Sequence, residues 1–122
     1  MNDDIFSITV PITFDKHEFL SSILGSAYET WYWWKEDTFD EGYSWNKYPD
    51  DNNKPFLTVG ILDPNGDDEE KVITKRLCVN DITKGYATAH AKGYKTRLDD
   101  LDAVYGDAIM QFVVLGECVY GV

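Results

Sequence analysis

Phe6, Ile8, Val10, Ile12 and Phe14 alternate strictly with Ser7, Thr9, Pro11 and Thr13. A period of two with β-branched residues predicts a half-buried strand. Pro11 has no N–H for a ladder, so that strand is expected at a sheet edge or with this position turned away from its neighbour. Asp15 and Glu18, three residues apart, form a capping-box signature. Phe19, Leu20, Ile23, Leu24, Ala27, Tyr28 and Trp31 then recur at helical spacing, which predicts one amphipathic helix that ends or bends near Gly25. From Trp33 to Pro55 the periodicity dissolves and the chain reads as loop. Phe56–Leu62 and Val72–Val79 are apolar, β-branched runs on either side of Asp63-Pro64-Asn65-Gly66 and an acidic tip, the pattern of a hairpin with a long loop. Asn80 or Asp81 is placed to cap a helix whose face is Ile82, Tyr86, Ala89, His90 and Tyr94. Asp99, Asp100 and Asp102 suit the N-terminal dipole of a last helix carrying Val104, Ala108, Ile109, Phe112, Val113 and Leu115. That helix is apolar nearly all round, as a central or oligomer-interface helix is.

The expected order is β-α-loop-β-β-α-α. This is an α+β fold in which a small antiparallel sheet of about three strands is packed by about three helices. With 122 residues, residues 1–122 read as one domain, large enough for a core without staples. Net charge is −11, from 22 acidic and 11 basic residues. Non-specific binding to a phosphate backbone needs a basic surface, so direct nucleic-acid binding is disfavoured. The acidity suits a self-repelling soluble particle or an imitation of nucleic acid. The acidic N-terminus precedes no signal-peptide core, and no apolar run is long enough to span a membrane. Cys78 and Cys118 form no CxxC and have no His pair, so no zinc site is read; in their apolar runs they suggest buried thiols in a reducing, cytosolic compartment.

All four tryptophans, Trp31, Trp33, Trp34 and Trp45, fall in the aromatic and acidic stretch from Tyr28 to Tyr48. Indoles are apolar in body and carry an N–H that wants a partner, so such density fits either an overfilled core or a contact surface. Asp107 and Gln111 stand four apart on the apolar last helix. If buried, Asp107 needs a cation or several N–H donors. Seven of the eleven basic residues lie between Lys71 and Arg97, which makes Lys75, Arg76, Lys92, Lys95 and Arg97 candidates. Two readings follow: a structural ion-pair network, or a polar pocket of Arg76 or Arg97 with Asp107 and Gln111 beside aromatic rings. Such a pocket would suit a nucleobase or a phosphorylated small molecule. His17 reads as exposed and His90 as a satisfied, half-buried histidine. Gly85, Gly93, Gly106 and Gly116 read as close-packing positions, because no phosphate-loop pattern is present. No cofactor, metal or catalytic constellation is legible.

Gly25-Ser26-Ala27-Tyr28-Glu29 with Tyr32-Trp33, and Asp107, Gln111 and Gly116-Glu117-Cys118-Val119-Tyr120-Gly121 at the other end, resemble a family of small acidic proteins of tailed bacteriophages and prophages. The likeness covers about half the chain and is most specific in the closing signature. It implies viral origin and the host cytoplasm, with no activity to transfer.

Three functions are therefore in view. The first is a non-enzymatic counter-defence protein, a homo-oligomer that sequesters a nucleotide-type immune signal through Trp31, Trp33, Trp34, Trp45, Arg76, Arg97, Asp107 and Gln111. The second is an acidic, nucleic-acid-mimicking inhibitor that docks onto a host defence protein. The third is a hydrolase using His90 or Asp107 as base.

Overall fold

A computed structural model describes residues 13–26, 28–63 and 71–120. The expected first strand lies outside the described residues, apart from Thr13 and Phe14, which belong to no regular element. The acidic hairpin tip, residues 64–70, also lies outside them.

Helix α1 spans Lys16–Leu24, and Asp15 Oδ1 accepts the Glu18 N–H at 2.9 Å, the forward half of the expected capping box. Its buried stripe is Phe19, Leu20, Ile23 and Leu24. The helix does not continue to Trp31. Its last turn closes with the Gly25 N–H on the Ser21 carbonyl at 2.8 Å, the Ser26 hydroxyl donates to the Ile23 carbonyl at 2.6 Å, and Tyr28–Thr30 form a separate 3-10 turn.

The segment expected to be loop contains strand β1, Trp34–Phe39. It pairs antiparallel with β2, Leu57–Leu62, which pairs antiparallel with β3, Val72–Leu77. The sheet order is β1-β2-β3, so the α+β class stands with helix preceding sheet among the described residues. Between Trp34 and Glu36 the register shifts, leaving Lys35 as an extra residue. Such a bulge reverses the facing of everything before it. Trp34 and Asp37, three apart, thereby share a face, and the indole N–H donates to Asp37 Oδ2 at 3.0 Å. The same bulge erases the alternation that would have revealed the strand.

Helix α2 spans Val79–Ala91. Its N-cap is Cys78 rather than Asn80 or Asp81; Asp81 serves from inside the first turn, accepting the Cys78 N–H at 2.9 Å. At the other end Gly93 has φ 88°, and Gly93 N–H to His90 O with Tyr94 N–H to Ala89 O, both 3.1 Å, form the pair of bonds that stops a helix at a left-handed residue. After a 3-10 turn at Leu98–Asp100, helix α3 spans Ala103–Leu115. Of the three acids expected at its start, Asp102 is the cap, with Oδ1 accepting from Val104 and Tyr105 at 3.0 Å each.

The inward residues Leu57, Val59 and Ile61 of β2 join the apolar stripes of all three helices and three indoles in one core. Helices α2 and α3 approach most closely where Gly85 faces Val113: a Cβ on Gly85 would lie 2.6 Å from the Val113 Cα. Gly106 similarly admits Ser26, whose Oγ would lie 1.9 Å from an added Cβ. Gly85 and Gly106 are thus close-packing positions, whereas Gly93 and Gly116 are helix-ending positions with positive φ. Helix α3 is central, with Ala108, Ile109, Met110 and Gln111 fully enclosed. Among the described residues no helix is long and apolar enough to cross a membrane.

Candidate functional site

Trp31, Trp33 and Trp34 are 4%, 0% and 8% exposed. They pack on one another, Trp31 and Trp33 parallel with centroids 5.7 Å apart and Trp34 edge-on to both. Every indole N–H is satisfied internally: Trp31 donates to the Ala103 carbonyl at 2.8 Å, Trp33 to Asp107 Oδ1 at 2.6 Å and Trp34 to Asp37. An indole buries about 150–250 Å², or about 4–6 kcal/mol at about 25 cal/mol per Å². Stacking a base on an exposed ring returns about 1–3 kcal/mol. Turning these rings outward to hold a ligand is therefore unfavourable. Only Trp45 differs: half-buried, it stacks on Tyr28 at 4.6 Å and meets Phe39 edge-on at 4.7 Å.

Asp107 and Gln111 do meet, with Gln111 Nε2 donating to Asp107 Oδ1 at 2.8 Å. No cation joins them among the described residues. The carboxylate is held by two N–H donors, Trp33 and Gln111, and burial still outweighs both bonds and raises its pKa above the usual value. Gln111 also ties down the chain's end: its Oε1 accepts the Val119 and Tyr120 N–H groups at 2.8 Å each, and its Nε2 donates to the Tyr120 carbonyl at 3.1 Å. Since every polar atom of the fully buried Gln111 side chain is used, this constellation is a clasp between the indole layer, α3 and the closing segment.

The expected cations lie elsewhere. Arg76 makes two bonds to Asp40, 2.8 and 3.3 Å, across the solvent face of the sheet, and its guanidinium holds the Asp40 carboxyl below its usual pKa. Arg97 pairs with Asp99 at 3.2 Å at the surface. Glu36, Glu41, Asp50 and Asp51 are all exposed, as are Lys35, Lys54 and Lys75. Lys54 is drawn to the Tyr43 hydroxyl at 3.0 Å, which raises its pKa.

A groove of about 490 Å³ lies between α1 and α2, where Phe14, Glu18, Tyr86, His90, Arg97 and Asp99 come together. His90 is exposed rather than half-buried, and its Nδ1 lies 2.9 Å from the hydroxyl of the buried Thr96. The Thr96 carbonyl in turn accepts the buried Tyr86 hydroxyl at 2.8 Å. The Gly93 turn that folds Thr96 back onto His90 is the signal from which that pair was readable; Phe14 and Glu18, more than seventy residues away, left none. Among the described residues no three His, Cys, Asp or Glu side chains gather as for a metal ion. Comparison with protein-family profiles, curated proteins and solved structures finds no match.

Proposed function

We propose that this chain is a non-enzymatic phage counter-defence protein that works in the host cytoplasm by docking its carboxylate-rich surface onto a basic, nucleic-acid-binding face of a host defence protein. The supporting observation is the closure of Trp31, Trp33 and Trp34 into the core with their N–H groups paired. The carboxylates that this stretch and the loop after it turn to solvent include Glu36, Glu41, Asp50 and Asp51, beside the exposed Tyr32, Lys35 and Lys47. Surface carboxylates of this kind steer association with a basic partner and lose reach as salt shortens the Debye length, about 10 Å at 0.1 M.

The test is displacement of duplex DNA from a purified host defence protein with a basic groove, repeated at rising salt. Displacement that weakens steeply with salt, and disappears when the four carboxylates are neutralised together, is the expected result. Salt-insensitive displacement, or full displacement by the neutralised protein, contradicts it.

Sequestration of a nucleotide-type signal by a homo-oligomer is the second reading. It rests on the groove, where Arg97 and His90 stand beside two aromatic rings. Calorimetry against cyclic and ADP-ribose-type nucleotides, with the mass in solution, tests it; heat with any of them and an oligomeric mass would place it first.

A further inference from the structure

We propose that the groove between α1 and α2 seats an arginine side chain of the basic partner; the assignment rests on the docking reading and adds a specific anchor to it. Phe14 is 40% exposed and makes T-shaped contacts with Phe19 at 5.2 Å and Tyr86 at 5.5 Å. The part of the ring left in solvent is aromatic surface of the kind on which a guanidinium plane stacks.

The polar groups are arranged for the same visitor. Thr96 pins His90 through Nδ1, and Tyr86 pins Thr96. The imidazole is therefore oriented, and its Nε2 has no hydrogen-bond partner among the described residues. In the tautomer that gives its Nδ1 proton to Thr96, Nε2 offers a lone pair. Glu18, from α1, contributes an exposed carboxylate that takes part in no ion pair among the described residues. Arg97 and Asp99 offset one another at 3.2 Å. Among the described lining residues Glu18 and Asp99 are negative and Arg97 is positive, a formal charge of −1. Among these described residues a phosphate would meet two carboxylates for one guanidinium. A guanidinium meets a ring, a carboxylate and an imidazole, and it brings a planar fork of donors where a lysine brings a point charge.

The experiment is a titration of the isotope-labelled full chain, followed by NMR, with a short glycine peptide bearing one arginine. Parallel titrations use the lysine and citrulline versions of that peptide and a nucleoside monophosphate. The arginine peptide is expected to give saturable shifts at Phe14 and His90, and citrulline, which keeps the shape and loses the charge, much weaker ones. Glu18→Gln should keep the native spectrum and weaken the arginine peptide by up to about five-fold, the upper range of an exposed charged pair. Citrulline binding as tightly as arginine, tighter binding by the nucleotide, or no saturable shift at these residues overturns the proposal. The DNA-displacement assay separates it from the docking reading. Equal displacement by native protein and Glu18→Gln removes the anchor and leaves the docking surface; saturable arginine binding with no displacement by native protein does the reverse.

Discussion

The Trp33 indole nitrogen and Asp107 Oδ1 stand 2.6 Å apart across 74 residues of chain. This bond joins the layer that leads into β1 to the middle of α3, and through Gln111 it reaches Tyr120. Asp107→Ala leaves two buried N–H donors, on Trp33 and Gln111, without an acceptor. Unmade buried hydrogen bonds cost about 1–3 kcal/mol each, so the loss of stability by urea unfolding should be about 2–6 kcal/mol. Asp107→Asn keeps an acceptor oxygen and should cost far less.

The pH dependence of stability carries the sign of the same carboxylate. Burial raises the folded-state pKa of Asp107 above the usual 3.8. Between those two values the folded protein holds more protons than the unfolded chain, so this group's contribution to stability falls as pH rises through that interval and stays lower above it. Subtracting the Asp107→Asn stability curve from the native one should therefore leave a difference that declines with rising pH from just under pH 4. A difference that increases with pH over the same range would show that the two N–H donors outweigh burial.

Two glycines set how closely the helical layer packs. Gly106→Ala drives a methyl into Ser26, and Gly85→Ala drives one into the Val113 backbone. Overpacking of this kind costs typically about 1–3 kcal/mol, and Gly85 should lie at the upper end because the obstacle is main chain. By contrast, Gly42→Ala meets open space and only the penalty of its positive φ, about 1–2 kcal/mol. Thermal unfolding of the three variants gives the order directly.

Sequence alone revealed elements whose signals are local. Asp15 with Glu18, the β-branched runs now seen as β2 and β3, and the apolar α3 could each be read within a dozen residues. Strand β1 could not, because the extra residue Lys35 breaks its alternation and its ladder partners lie 18 to 27 residues on. The meeting of Asp107 with Gln111 was readable from helical spacing. Its donor was not: Trp33 is far away in sequence, and the positive charge of Arg76 and Arg97 pointed to an ion pair that the fold spends on Asp40 and Asp99 instead. Likewise, aromatic density is the same whether rings face in or out. Only the partners of the indole N–H groups separate the two.

Neutralising Glu36, Glu41, Asp50 and Asp51 with their amides takes the net charge from −11 to −11 + 4 = −7. These side chains are exposed, and surface substitutions usually stay within about 0.5 kcal/mol. Urea midpoints should therefore hardly move while affinity for a basic target collapses. A large fall in stability would instead assign these carboxylates to the fold.

The most direct measurement is acrylamide quenching of tryptophan fluorescence in the native protein and in Trp45→Phe, free and bound to a basic target. Enclosed Trp31, Trp33 and Trp34 should remain protected in both states, with the quenchable fraction carried by Trp45 and lost in the variant. Strong quenching that survives Trp45→Phe and is relieved when the target binds would mean that the other indoles form the contact surface, contrary to this account.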